Sequence, residues 1–226
     1  VANRNWDLLF EIWPEYQLVL LDADDRILAA HNSAPLAWDG TDGGLPDGWE
    51  DQFEWSVAQR EARIEPTALG ALQIVVGLDR QGTGLAWTML TAMRANARRR
   101  GLSAVIACVR PTLKSAYPLT SIDRYAAWTR DDGLPFDPWI RLHVRLGGRI
   151  VRPSPRSMTV SGTVGEWEAW TGMAFPESGA YVVSWNMSAA SGASPPWETS
   201  SQRSRAWAKS MSSTSTAVPV SSSNSS

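Results

Sequence analysis

The residues best suited to chemistry crowd into one short turn, "DRQGTGLAW", which spans 79–87. An apolar run at 72–76 leads into it, and Leu85, Met89, Leu90, Met93 and Ala97 follow at helical spacing. A strand, a glycine turn and a helix together make an anion site. The first helical turn has unpaired N–H groups and a partial positive charge. Residue spacing tests which anion fits. A nucleoside-triphosphate loop needs Gly-x4-Gly-Lys-Ser/Thr. Gly77 and Gly82 have that separation, but Thr83 stands where the lysine must be. A dinucleotide fingerprint needs a small third residue so that helix and strand pack closely. Counted from Gly82 that position is Trp87, and the next strand ends in Arg110 rather than in an acid for a ribose hydroxyl.

Other chemistry-bearing residues are sparse. Cys108, the single cysteine, lies in the apolar "LSAVIACVR" and reads as a small core residue; it admits no intrachain disulfide. His31 and His143 are far apart in sequence, and His143, in "RLHVR", reads as a structural residue on a helix face. There is no metal-ligand spacing and no Gly-x-Ser-x-Gly elbow.

Composition narrows the class. The 226 residues suffice for one buried domain with an appendage. A formal charge of -2 argues against nucleic acid and anionic membranes as partners, although arginine supplies all but two of the 21 basic residues. No apolar run approaches the roughly 18 residues of a membrane helix, and the acidic start is unlike a signal peptide, so a cytoplasmic protein is expected. The 13 tryptophans show no repeat period.

The positioning elements follow from pattern. Residues 6–13 read as a short helix stopped by Pro14. Residues 17–21 and 26–33 form an antiparallel hairpin about an acidic turn. Residues 39–48 are a loop, 49–63 a helix with Asp47 or Gly48 at its N-cap, and 71–76 a buried strand. The helix at 85–100 ends in three arginines and Gly101, and 102–110 is a strand parallel to 71–76. Short helices are expected in "IDRYAAWTR", "DPWIRLHVRLGG" and "TVGEWEAWTGM", extended chain in "GRIVRPSPRSMTVSG", and a strand in "GAYVVSW". The fold class is α/β (α+β) with a mixed sheet. From Ser184 onward 16 of 43 residues are serine, so 1–183 is expected to be the folded domain and 184–226 a mostly disordered tail.

Gln81, Gly84 and Ala86 make Gln-x-x-Gly-x-Ala, which resembles the acyl-CoA-binding motif of the GNAT superfamily of N-acetyltransferases. "EYQLV", "PLAWDG", "LPDGW", "DGLPFDPWIRLHVR", "PRSMTV" and "WTG" extend the likeness, over about residues 8–183, to bacterial GNAT proteins of unassigned substrate. The usual first strand and helix have no counterpart here, so the resemblance implies a shortened N-terminus.

The resemblance implies a mixed, mostly antiparallel twisted sheet with a splayed central parallel pair, flanked by helices. It implies acetyl-CoA as co-substrate and direct acyl transfer to a primary amine on a small molecule or peptide. Ile74, Val75 and Val76 would meet the pantetheine arm. Gln81, Gly82, Thr83, Gly84, Leu85, Ala86 and Trp87 would hold the pyrophosphate, and Arg80 would add charge. Tyr117 or Tyr125 would protonate the leaving thiolate, and Glu65 is the nearest upstream acid. Gln73 stands where related sequences often have glutamate, and glutamine is not a base. Superfamily members often dimerise, which implies a homodimer. The other reading is a catalytically inactive CoA-binding module with a sensing or interaction role. A nicotinamide-dependent oxidoreductase is disfavoured by Trp87.

Overall fold

The computed structural model describes residues 5–158 and 161–183; the serine-rich tail lies outside the described residues. A short helix α1 (Leu8–Glu11) precedes the hairpin β1 (Leu18–Leu21) and β2 (Ile27–Leu36). Helix α2 (Trp49–Glu61) then leads to β3 (Ala68–Val76), α3 (Leu85–Arg99) and β4 (Ala104–Ala107). Three short helices follow: α4 (Ile122–Ala126), α5 (Pro138–Arg145) and α6 (Val164–Thr171).

The strands form one sheet in the order β1-β2-β3-β4, antiparallel except for the parallel pair β3 and β4. The mixed, mostly antiparallel sheet matches the expected class, with β4 along one side of the described sheet. No strand forms in 179–183, so the strand expected in "GAYVVSW" is absent there; its last two residues lie outside the described chain. The segment 148–158 forms no strand and turns at 155–157, short of the continuous extended chain expected there, and residues 159 and 160 lie outside the described chain.

Helices cover both faces. Gly70 faces α2, since a Cβ there would stand 2.9 Å from Gln52 Nε2. α3 lies on the opposite face, where Leu90 and Ala97 line one cavity with Ala71. This alternation follows from the strand's two-residue period. Trp6 and Leu9 of the N-terminal segment join Phe53, Leu69, Leu72, Met93, Ala97 and Leu102 in the core. α3 buries Met89, Leu90, Met93, Asn96 and Ala97, which is the periodic face read in the sequence without the half-buried Leu85 and with one polar residue added. Asn96 is accommodated because its Nδ2 donates to Glu15 O at 2.9 Å.

Gly101 ends α3 as expected, with φ +76°. Its N–H donates to Arg98 O and that of Leu102 to Ala97 O, the paired bonds of a Schellman ending. Arg100 is more than a solvated helix end, because its guanidinium lies 4.9 Å from the centre of the Tyr16 ring.

Residues 149–157 form a strap back to the loop before α2. Arg149 grips Asp42 with two bonds, Arg152 donates to Leu45 O and Asp47, and Ser157 accepts the Trp49 N–H at the start of α2. Gly48 makes this approach feasible, since a Cβ there would lie 2.6 Å from Ser157 Cα.

Gly70→Val is expected to lower stability by about 1–3 kcal/mol, because it forces Gln52 off the sheet. Urea unfolding monitored by circular dichroism measures the loss.

Candidate active site

The site begins where two parallel strands part. β3 and β4 pair only from Ala68 with Ala104 to Ala71 with Ala107, yet β3 runs on to Val76. At the parting, β3 carries a bulge: Asn32 faces Gln73 and Ser33 faces Ala71, leaving Leu72 as the extra residue. Helix α2 takes up the carbonyls there. Trp49 Nε1 donates to Leu72 O at 2.7 Å and Gln52 Nε2 to Ala71 O at 2.9 Å.

Beyond the bulge the ladder fixes which backbone groups face the gap. Gly77 N–H bonds to Leu28 O, and pairing alternates along an antiparallel ladder. Gln73 and Val75 therefore turn their backbone groups toward β2. Ile74 and Val76 turn theirs toward the side that β4 has left. Of the three residues expected to contact pantetheine, two thus offer their main chain to the gap and Val75 does not.

The glycine turn follows at once. Leu78–Arg80 form one 3-10 turn, Gly82 has φ +78° and Gly84 φ +86°, and Gly84 is the N-cap of α3. The surroundings of both glycines are open, so their requirement is conformational: a side chain resists positive φ. The side chains nearby are occupied or turned away. Arg80 pairs with Asp79 at 3.0 Å, and Thr83 donates its hydroxyl to Arg80 O. Gln81 and Trp87 are exposed, whereas Leu85 and Ala86 are half-buried.

No side chain caps the first turn of α3. By contrast Ser157 serves α2, Ser121 caps α4, Asp137 caps α5 and Thr163 forms a capping box with Glu166 on α6. The longest helix thus keeps its N–H groups open at the mouth of the gap, with no acidic residue in its first turn.

A cavity of about 280 Å³ runs from the parting strands between α3 and α5. Ala71 and Ala107 mark its strand end; Leu90, Arg94, Arg98 and His143 line its sides. Arg94 is anchored on Leu146 O through Nη1. His143 Nδ1 lies 2.9 Å from Trp139 O. A carbonyl only accepts, so Nδ1 carries the hydrogen and Nε2 keeps a lone pair in the neutral ring. Burial holds His143 below the usual imidazole range, against the opposing pull of that hydrogen bond. Residue pattern suggests a structural role for His143, and spacing alone does not reveal a cavity assembled from three separate segments.

The tyrosines sit in an aromatic cluster with Trp128 and Phe136. Tyr125 is buried and donates its hydroxyl to Asp137 Oδ2 at 2.8 Å. Burial and this bond keep the phenol protonated. Tyr117 packs against it, ring centres 5.8 Å apart, and is partly exposed. Glu65 is exposed and precedes β3 at the end opposite the glycine turn. Six residues, roughly 20 Å of chain where extended, lie between it and the bulge at Leu72.

Asp137 is a residue the sequence reading passed over within "DGLPFDPW". Its Oδ1 caps α5 through Trp139 and Ile140 N–H, while Oδ2 accepts from Leu113 N–H and Tyr125. An Asp-Pro pair at a helix start was the available signal. Burial works against its charge, but these bonds outweigh burial and hold the carboxyl below the usual range. Elsewhere burial alone lowers His31 to about 3, and burial pushes the Cys108 thiol up to about 11, so neither ionises near neutrality. No metal-binding cluster occurs among the described residues.

No family model matches the chain. A curated relative, arginine N-acetyltransferase avaD of Aspergillus versicolor, is 33% identical over 198 residues, covering 79% of this chain and 68% of that protein. Among solved structures, the loading GNATL domain of CurA from Lyngbya majuscula aligns with a TM-score of 0.48 at 20% identity, covering 63% of this chain and 69% of that domain. The GphF GNAT-like decarboxylase in complex with isobutyryl-CoA aligns with a TM-score of 0.45 at 20% identity, covering 61% and 67%.

Because the folded pKa of Asp137 is depressed, its stabilisation is present above the unfolded carboxyl value of about 4 and is lost as pH falls through the folded value. Asp137→Asn should therefore destabilise the protein at pH 7 and flatten its loss of stability on acidification. Thermal unfolding at pH 7, 4 and 3 measures both effects.

Proposed function

The chain belongs to the GNAT superfamily of N-acetyltransferases, and from that premise we propose that it transfers acetyl from acetyl-CoA to a primary amine by direct attack. One observation carries the reading. The parallel strands part immediately before an uncapped helix whose entry needs two glycines at positive φ. A pyrophosphate suits the open N–H groups of α3 through charge-assisted hydrogen bonds. A pantetheine arm, with alternating amide donors and acceptors, suits the main chain of Ile74 and Val76. Bound in this way, the thioester would lie at the parting of the strands, next to the cavity.

The acceptor in this reading is a small amine or amino acid. The relative's name makes arginine the first acceptor to try.

His143 is the group we assign to proton transfer. The attacking nitrogen forms a bond to the thioester carbon and becomes positively charged. The neutral imidazole takes its proton at Nε2. As the C–S bond breaks, the imidazolium returns that proton to sulfur. The products are the N-acetyl amine and the CoA thiol, and His143 is neutral again. Tyr125 is a poorer donor here because its hydroxyl proton is committed to Asp137. Tyr117 lines the partly exposed side of the aromatic cluster and in this reading contacts substrate.

Calorimetric titration with acetyl-CoA, CoA and NAD tests the cofactor. Binding of both CoA species but not NAD, lost in Gly84→Trp, is the expected result. A folded protein that binds neither CoA species would overturn the reading. His143→Ala should then keep acetyl-CoA binding while kcat falls by about 10²–10⁴. The rate of thiol release with each amine measures this, and also separates an enzyme from a CoA-binding module that turns nothing over.

A further inference from the structure

Two buried acceptors beside the bulge lack a donor, Gln52 Oε1 and Gln73 Oε1, and of the two only Gln73 belongs to the parting strand. Gln73 Oε1 is buried, and no donor of the described residues reaches it. Its neighbours are committed elsewhere. Trp49 Nε1 is on Leu72 O and Gln52 Nε2 on Ala71 O. Asn32, directly across the ladder, turns its Nδ2 to Gln17 Oε1 at 3.2 Å. Gln17 is held in turn, its Nε2 donating to Trp13 O and Ser33 O. A buried acceptor left unpaired is costly, so a donor from outside the chain is the natural complement.

Position says what that donor would be. Gln73 and Asn32 are cross-strand partners, so their side chains share a face. Asn32 and Ala34 lie two residues apart on β2, and Ala34 faces Gly70 across the ladder. Gly70 looks toward α2, so Gln73 does too, on the face away from α3 and the cavity. Gln73 also directly precedes Ile74, the first residue whose backbone faces the gap. A group held by Gln73 therefore approaches the parting strands from the face opposite His143.

Resting on the acyltransfer reading above, we infer that Gln73 orients the attacking amine, its Oε1 accepting a hydrogen bond from an N–H of the neutral acceptor. An amide oxygen aims the nitrogen lone pair without taking up a proton. The acceptor ammonium therefore loses its first proton to solvent before it attacks. The second proton, released as the N–C bond forms, is relayed through solvent in the gap to His143 Nε2 and from there to the leaving sulfur. The rate should follow the neutral fraction of the amine rather than the titration of a carboxylate at this position. The acceptors favoured are those with a sizeable neutral fraction at working pH, such as α-amino groups, over strongly basic side-chain ammoniums.

The test compares wild type, Gln73→Leu and Gln73→Glu with acetyl-CoA from pH 6 to 10. The acceptors are L-arginine, glycinamide and n-butylamine. Gln73→Leu removes the oxygen at similar volume. Its kcat for amine transfer should fall about 100-fold, the cost of misorienting the reacting atoms, with acetyl-CoA affinity unchanged. Its pH midpoint should also stay where it is, since no base has been lost. Gln73→Glu supplies a base and should carry activity to lower pH. Gln73→Asn keeps the amide but draws its oxygen back by one methylene; it should show the same loss, and it serves if Gln73→Leu does not fold. Full activity in a folded Gln73→Leu overturns the inference alone. A fall in its acetyl-CoA affinity matching the fall in rate also overturns it, by giving Gln73 a structural role. A wild type that binds acetyl-CoA yet acetylates none of the three amines overturns both this inference and the acyltransfer reading.

Discussion

Two carbonyl groups set the terms for this structure. Where β3 leaves its ladder, Ala71 and Leu72 would each bury an unpaired oxygen. Such a group costs about 1–3 kcal/mol when no donor is supplied. Gln52 and Trp49, on the first turn of α2, supply the donors. β3 can therefore diverge from β4 without unravelling, and the gap between them becomes a stable feature. Trp49 gains a second function from the same placement, since it stacks on Trp6 and packs against Phe53. The helix that satisfies the strand thereby anchors the N-terminal segment in the core.

Satisfaction of polar groups also distinguishes the open parts of the molecule from the closed ones. Asp137 gathers the loop after β4, α4 and α5 onto one carboxylate. This fixes the wall that bears Tyr117, Trp128 and Phe136. The start of α3 is left unserved by any side chain. Polar groups are generally paired inside a folded chain, so an unpaired helix end next to an unpaired strand edge has a different standing from either alone. The turn at 77–84 joins the two.

Much of this was legible from residue pattern. The 3.6-residue period of Leu85, Met89, Leu90, Met93 and Ala97 requires α3, and Gly101 stops it where it does because only glycine enters the left-handed region freely. The acidic turn after Leu21 is a hairpin because Asp22 accepts N–H bonds from both Asp24 and Arg26. What stayed hidden depends on residues far apart in sequence. β3 starts three residues before the strand expected at 71–76 because Ala68 pairs with both Leu36 and Ala104. The cavity beside His143 needs α3, β4 and α5 at once. Asp137 carries a local signal for its cap, but nothing local announces Leu113 and Tyr125. Gln73 looked like the loss of a base by its letter alone, and its unpaired oxygen emerges only with the bulge.

The strap at 149–157 has a consequence for the order of events during synthesis. The opening turn of α2 obtains its outside partner from Ser157, 108 residues further along the chain. Asp42 likewise waits 107 residues for Arg149. A ribosome emits about 5–20 residues per second, so the loop before α2 exists for several seconds before its clasp. Among the described residues the sheet from β1 to β4 contains none beyond Ala107 and can assemble within that interval. The strap is thus a late seal on a preformed sheet, and a stall between β4 and the strap would leave nascent chains with a paired sheet and a loose second helix.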